Sequence, residues 1–182
     1  MTGGQPGHDW LRDLNPGYFA LVMATGIVSR AAFLDGATVL AAVLLAVAAA
    51  AYVVLVAAYG WRFARYRREF LADASDPVKA FAFFTFVAGS NVLGAGLAAD
   101  HLAPITAGLL LIAGLAWLLL GYGIPGTLIT RRGARPALSG ANGTWFLWVV
   151  GTQSIAVAAA ALPAAERCWR SGARPGPGWA TR

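Results

Sequence analysis

Cysteine, histidine and acidic residues are scarce in this chain of 182 residues, which has 1 Cys, 2 His and 8 Asp and Glu together. The single Cys168 excludes an internal disulfide, and no CxxC motif or Cys/His cluster offers a metal site. The apolar runs contain no pair of nucleophile and base, no HExxH motif and no paired carboxylates, which are the groups that most enzymes need. We therefore expect no enzyme, no metal site and no cofactor.

Polar sequence long enough for a separate soluble domain is also missing. Hydrophobic residues make up 58% of the chain and the mean hydropathy is +0.62, whereas soluble domains contain roughly 45–50% apolar residues. About 20 apolar residues are needed for a helix to cross a bilayer core. Five runs meet or approach this length, at about residues 16–34, 37–61, 78–98, 103–125 and 144–163. The sequence therefore predicts an all-α integral membrane protein with five transmembrane helices in a domain over residues 15–163, after a polar segment over residues 1–14.

The basic residues lie in segments between the apolar runs rather than on one soluble face. The net charge of +6 therefore does not indicate a nucleic-acid partner. Four arginines lie in residues 62–76 and three in residues 131–135, whereas residues 35–36 and 99–102 contain no Lys or Arg. By the positive-inside rule, this asymmetry predicts a multi-pass protein of the cell membrane with a cytoplasmic N-terminus.

The last segment, residues 164–182, is rich in Arg, Gly and Pro and has no apolar period, so we expect it to be disordered. Five spans with a cytoplasmic N-terminus would place this basic segment outside the cell, against the charge rule that the other loops obey. One explanation is that the natural chain continues into further spans and that the segment is a truncated or frame-shifted end.

Spans one, three and five carry small and polar residues in their middles, whereas spans two and four are apolar almost throughout. The small and polar residues are Thr25, Gly26, Ser29, Thr85, Gly89, Ser90, Asn91, Gly94, Gly151, Thr152, Gln153 and Ser154. Because lipid offers no hydrogen-bond partner, the polar groups must face protein or a wet cavity. The alternation favours a repeated helical hairpin in which odd helices line an interior and even helices surround them. For span one an alternative is equally open, since Thr25 and Ser29 can bond to carbonyls of their own helix.

Two cations mark the ends of the predicted interior. Arg30 lies near the outer end of span one, where its side chain can snorkel to the interface and Asp35 is a possible partner. The alternative is that Arg30 forms a positive outer mouth that attracts anions. Lys79 and the arginines of residues 62–68 would then attract anions at the other mouth.

Three segments together resemble a known family of membrane transporters. They read NPGYFALVMATGIVS at residues 15–29, DPVKAFAFFTFVAGSNVLG at residues 76–94 and NGTWFLWVVGTQSIAV at residues 142–157. This combination is similar to the tellurite-resistance/dicarboxylate transporter family, which includes bacterial tellurite-resistance channels, fungal malic acid transporters and the plant slow-type guard-cell anion channel. The similarity covers nearly all of residues 15–163.

The resemblance implies ten transmembrane helices in five hairpins with quasi-fivefold symmetry, a central pore formed by the odd helices, and a trimer. It also implies passage of monovalent or dicarboxylate anions past the small and polar residues of spans one, three and five. This chain has five spans, about half of that fold, and the phenylalanine that occludes the pore in characterised members lies on a ninth helix. The phenylalanines of span three, Phe81, Phe83, Phe84 and Phe86, are more typical of packing than of a gate.

These observations predict transport of anions, either C4-dicarboxylates such as malate or small inorganic anions, by a truncated member of the family. The partners would be the lipid bilayer, the anions, and either further copies of the chain or a missing C-terminal half. A proton-coupled dicarboxylate carrier would need an ionisable relay in mid-membrane, and spans two to five contain none. The alternative from another class is an inactive fragment, or a small membrane protein with a structural or partner-binding role.

Overall fold

The computed structural model describes residues 14–74, 76, 79–98, 102–130 and 143–171, and these residues are mostly helical. In chain order the α-helices are α1 (Phe19–Leu34), α2 (Thr38–Arg65), α3 (Arg67–Ala74), α4 (Phe84–Ala98), α5 (Ala103–Thr130) and α6 (Phe146–Ser171). Four stretches are long and apolar enough to cross a membrane, and a shorter apolar one covers Phe146–Leu162. The prediction of an all-helical integral membrane protein is therefore confirmed.

A 3₁₀ turn precedes each of the first, third and fifth spans, which are formed by α1, α4 and α6. We call these three the odd-numbered spans, and α2 and α5 the even-numbered spans. These turns cover Pro16–Tyr18, Ala80–Phe83 and Gly143–Trp145. Each turn ends in an aromatic residue, and the α-helix that follows begins with a phenylalanine. The even-numbered spans, α2 and α5, are both 28 residues long, and the described residues before them form no such turn. The chain is thus built from a repeated pair of helices with a common starting geometry.

The common start aligns further residues of the three odd-numbered spans. Counting from the first phenylalanine of each helix, the third following residue is valine, at Val22, Val87 and Val149. The sixth following residue carries a hydroxyl group, at Thr25, Ser90 and Thr152. Three of the hydroxyl groups singled out in the sequence therefore occupy one equivalent helix position.

Helix α4 occupies the middle of the molecule. It packs against α1 on one side and against α5 and α6 on the other, so that α1, α4 and α6 form a row with α4 at its centre. Of the α4 span, 72% is buried inside the protein, against 11% of the α2 span. Helix α2 packs mainly on α1, and α5 packs on α4 and α6. We call α1, α4 and α6 the odd-helix row.

The first hairpin turns tightly at Asp35 and Gly36, where the positive φ of 82° at Gly36 suits a residue without a side chain. The following helix, α2, exposes a long apolar surface that includes Val39, Val47 and Val54. In a membrane this surface faces lipid, since apolar surface of this extent is unfavourable in water.

The phenylalanines of the third span are packed into the protein. Phe81, Phe83 and Phe84 are buried and Phe86 is partly buried. Their rings lie close to aromatic rings of other segments: Phe81 to Trp145 at 5.0 Å, Phe83 to Phe70 at 5.2 Å and Phe86 to Phe19 at 5.1 Å between centroids. These distances are typical of stabilising aromatic pairs.

Several helices extend beyond the predicted ends of the spans. The sequence predicted that the fourth span ends at about residue 125, but α5 continues through Pro125 to Thr130. Proline removes one backbone hydrogen bond, which does not by itself end a membrane helix. Helix α6 continues to Ser171, so the disorder predicted from residue 164 is wrong for residues 164–171, where Ala, Glu and Arg are good helix formers. The remaining predictions for residues 1–13, 131–142 and 172–182 lie outside the described residues.

Candidate functional site

The structure places most of the predicted pore residues inside the protein. The buried ones are Gly26, Ser29, Thr85, Gly89, Ser90, Asn91, Gly94, Gly151 and Ser154. Thr25 is partly buried, and Thr152 and Gln153 are exposed on α6. The structure brings the polar centre of α4 together with that of α6 through Asn91 and Ser154, while Ser29 of α1 bonds to α2.

Asn91 and Ser154 link α4 to α6 at mid-span. The Asn91 Nδ2 atom donates to Ser154 Oγ at 3.1 Å, and Ser154 Oγ donates to the Gly151 carbonyl at 2.7 Å. Asn91 is only 1% exposed, and its Oδ1 atom has no hydrogen-bond partner among the described residues. A buried acceptor without a partner is costly, so Asn91 is the polar group of the row with the strongest reason to contact a further molecule.

Thr85 links the entrance of α4 to the entrance of α1. Its hydroxyl donates a hydrogen bond shared between the carbonyl oxygens of Pro16, at 2.9 Å, and Ala82, at 2.6 Å. Both carbonyls belong to the 3₁₀ turns that precede the two helices. The Thr85 hydroxyl is therefore engaged within the protein and fixes the two helix starts relative to each other.

The even-numbered spans supply an aromatic hydrogen-bonding group to the odd span that follows. Ser90 Oγ donates to the Phe86 carbonyl at 2.7 Å, which leaves it to accept from the Tyr52 hydroxyl at 2.9 Å. Thr152 Oγ1 donates to the carbonyl of residue 148 at 2.9 Å and accepts from Trp117 Nε1 at 3.1 Å. In α4 and in α6, one hydroxyl group thus donates to the carbonyl four residues before it and accepts from an aromatic side chain of the preceding even span.

Sequence reasoning missed the roles of Tyr52 and Trp117, because it treated α2 and α5 as apolar packing helices. Each aromatic residue lies fourteen positions after the first residue of its helix. That equal spacing, once the helix starts are known, is the signal that identifies them. Both side chains combine an apolar ring with one polar group, which suits a contact between a lipid-facing helix and a polar one.

Glycines allow the close approach of the odd-helix row. A Cβ atom at Gly26 would lie 2.7 Å from the Val92 side chain, and one at Gly89 would lie 3.3 Å from the Phe19 carbonyl oxygen. A Cβ atom at Gly151 would lie 3.0 Å from the Phe84 ring. Small residues at such contacts are typical of membrane helix packing. These predicted pore glycines therefore lie at helix contacts.

At the α1–α2 hairpin, Ser29 and Arg30 face the second helix. Ser29 Oγ donates to the Ala41 carbonyl at 2.8 Å. The Arg30 guanidinium lies 5.4 Å from the centroid of the Phe33 ring, and in the described part of the chain no ion pair joins Arg30 to Asp35. The prediction of Asp35 as the partner is wrong, because the side chain folds back over Phe33 and gains a cation–π contact there.

At the opposite end of the spans, Asp73 of α3 binds two cations. Its carboxylate accepts hydrogen bonds from Arg62, which is 1% exposed, and from Lys79 at 2.8 Å. Although partial burial would raise the pKa of Asp73, the hydrogen bonds from Lys79 and Arg62 outweigh burial and hold this pKa below its ordinary value. Lys79 is exposed, but it forms an ion pair with Asp73. The negative charge of Asp73 weakens the attraction of Lys79 for free anions.

The described structure defines a multi-pass helical membrane protein with a polar, carboxylate-free contact between its odd-numbered spans. The sequence model of the voltage-dependent anion channel family, SLAC1, matches residues 13–174, and the chain belongs to this family. This family consists of anion channels and transporters rather than enzymes. Comparison with curated proteins and with solved structures gave no significant match.

Proposed function

We propose that the chain carries anions across the cell membrane along the odd-helix row. The observation that supports this most directly is the polar contact of Asn91 with Ser154, buried at mid-span between two helices that contain no Asp or Glu within the apolar stretch. Neutral donors can replace part of the water around an anion without holding it tightly, which conduction requires. The absence of carboxylates removes the repulsion that would exclude an anion.

The proposed lining consists of the small and polar residues of the three odd spans. It comprises Thr25, Gly26, Ser29, Thr85, Gly89, Ser90, Asn91, Gly94, Gly151, Thr152, Gln153 and Ser154. Among them we assign the direct ion contact to Asn91, whose Nδ2 carries a second N–H besides the one that Ser154 accepts. Arg30 attracts anions to one end and Lys79, more weakly because of its ion pair with Asp73, to the other; added salt would weaken both effects. The positive-inside rule supports a cytoplasmic N-terminus, and the family resemblance supports association into a homotrimer.

Anion flux into liposomes that contain the purified chain tests this function. Nitrate, chloride and malate are compared, since neutral donors favour a weakly hydrated monovalent anion while the wider family also suggests dicarboxylates. Asn91→Leu removes both amide groups and should reduce flux at least about tenfold, equivalent to about 1.4 kcal/mol in the barrier. Thr106→Val is the matched control, because Thr106 is a fully buried hydroxyl that bonds to the Gly94 carbonyl from the even span α5.

A structural role is the second candidate, supported by the hydrogen bonds that Thr85 and Ser90 make within the chain. In that case the chain conducts no anion in any of the three solutions, while loss of these hydroxyls lowers stability. Flux that is equal for the parent chain and Asn91→Leu would contradict the assignment of Asn91 but not the transport of anions.

A further inference from the structure

A separate cavity lies where α1, α2 and the end of α4 meet, at the end of the spans opposite to Asp73. Its volume is about 180 Å³, and its lining includes Gly26, Ser29, Arg30, Phe33, Thr38 and Gly96. Helix α6 contributes no residue to this lining. The cavity is therefore distinct from the contact between Asn91 and Ser154 on which the proposed transport rests.

Arg30 is the single charged residue in the lining of this cavity. Its guanidinium carbon lies 5.4 Å from the centroid of the Phe33 ring, a contact that uses the charge but none of the five N–H donors of an arginine. In the described structure no carboxylate binds these N–H groups, and Asp35 does not line the cavity. The cavity consequently has a net positive charge.

Two hydroxyl residues, Ser29 and Thr38, line the cavity beside Arg30. The hydroxyl hydrogen of Ser29 is used by the Ala41 carbonyl, so Ser29 cannot also donate to a ligand. Thr38 is exposed at the start of α2 and lines the same cavity. Arg30 and Thr38 are thus a planar cationic donor and a neutral donor that border one small space, the combination that binds tetrahedral oxyanions.

We propose that this cavity binds an oxyanion of the phosphate class, held by Arg30 and Thr38. The ligand is either a free oxyanion or the headgroup of an anionic phospholipid, since both present the same oxygens. Leu34, Val39 and Leu40 are exposed and adjoin lining residues in the sequence, and they would contact acyl chains if the source is a lipid. Such a site is a resident anion site at one end of the spans; it shares Gly26, Ser29 and Arg30 with the proposed path but not the contact between Asn91 and Ser154.

Binding is tested on the full chain in two arms. In the first arm, inorganic phosphate is titrated by calorimetry into the chain purified in a neutral detergent. In the second arm, the chain is placed in nanodiscs with phosphatidylcholine and phosphatidylglycerol, and the lipids that remain bound after extraction are counted by native mass spectrometry. Each arm compares the parent chain with Arg30→Gln, Arg30→Lys and Thr38→Val.

Arg68→Gln is the matched control, because Arg68 is an exposed arginine of α3 that does not line the cavity. We expect Arg30→Gln to weaken binding at least about tenfold, Arg30→Lys and Thr38→Val to weaken it less, and Arg68→Gln to change it less than twofold. An effect in the first arm identifies a free oxyanion, and an effect confined to the second arm identifies a lipid headgroup.

The proposal is overturned if neither arm shows saturable binding, or if Arg30→Gln and Arg68→Gln have equal effects. Circular dichroism of each variant checks that the helix content is unchanged, which is expected because Arg30 and Thr38 are both exposed. No flux is measured in either arm, so the result does not depend on whether the chain conducts anions.

Discussion

The hydroxyl groups of Tyr52 and Ser90 lie 2.9 Å apart and join the first even span to the second odd span. Trp117 and Thr152 repeat this relationship one helix pair later, at 3.1 Å. In both cases the odd-span hydroxyl also donates to the carbonyl four residues before it. The two bonds are therefore equivalent elements of an internal repeat and hold each polar helix at a defined rotation relative to its apolar neighbour.

Tyr52→Phe is expected to destabilise the protein by about 1 kcal/mol, because Ser90 loses the donor while the aromatic ring stays in place. Stability is measured by unfolding in a titration with a denaturing detergent, followed by circular dichroism. Tyr122→Phe is the control, since Tyr122 is 74% exposed on the other even span, and it should change stability by less than about 0.5 kcal/mol. Equal effects of the two variants would argue against the Tyr52 contact.

Asn91 and Ser154 should show energetic coupling in a double-mutant cycle. Asn91→Leu, Ser154→Ala and the double variant isolate the bond between the two side chains. Hydrogen bonds between membrane helices measured in this way average about 0.6 kcal/mol and reach about 1.7 kcal/mol. A coupling energy within experimental error of zero would mean that the two groups do not stabilise each other.

Gly26→Ala is expected to destabilise the protein by about 1–3 kcal/mol, because the new Cβ atom would lie 2.7 Å from Val92 Cγ1 and force α1 and α4 apart. Gly108→Ala is the matched control in the span α5, where a Cβ atom would meet no atom within 4 Å. There the higher helix propensity of alanine should leave stability unchanged or raise it by up to about 1 kcal/mol. The same unfolding titration distinguishes the two, and similar values would contradict the close contact at Gly26.

The ion pairs of Asp73 predict a loss of stability in acid. The pKa of Asp73 is lowered in the folded protein, so its contribution to stability is fully present above the unfolded pKa and is lost as pH falls through the folded pKa. Its ordinary value is 3.8, and the loss should therefore occur below about pH 4. Unfolding titrations at a series of pH values from about 3 to about 7 measure this dependence.

Asp73→Asn should flatten that pH dependence because it removes the titrating carboxylate. Asp35→Asn serves as control, since Asp35 lies in an exposed turn and makes no ion pair with the described residues. If Asp73→Asn retained the full acid sensitivity of the parent chain, the ion pairs with Arg62 and Lys79 would not be its cause.

Much of the architecture could be predicted from local sequence patterns. Hydropathy located the apolar spans, and three short segments indicated the family to which the chain belongs. Helix ends were less predictable. Pro125 lies inside α5, although proline in a water-soluble helix commonly marks a boundary. In a span buried in lipid or protein, the remaining backbone bonds continue the helix because lipid offers no alternative partner.

The partners of the polar residues could not be predicted in the same way. The sequence separates Ser90 from Tyr52 by 38 residues, Ser154 from Asn91 by 63 and Thr85 from Pro16 by 69. Such pairs depend on the rotation and depth of each helix relative to its neighbours, and periodicity within one helix does not define these. For the same reason, the sequence did not show that Lys79 shares Asp73 with Arg62.

The sequence by itself determined that this protein is a helical membrane protein of the anion channel family, with small and polar residues in the middles of its odd spans. The spans depend on the free energy of transferring each segment from water to lipid. This free energy is a sum of contributions from the side chains of that segment alone. Only the tertiary structure decided which groups these polar residues bond to, such as Asn91 to Ser154 and Ser90 to Tyr52, and that Arg30 borders a cavity. Those outcomes depend on side-chain shape and hydrogen-bond geometry between helices, which exist only when the helices have packed.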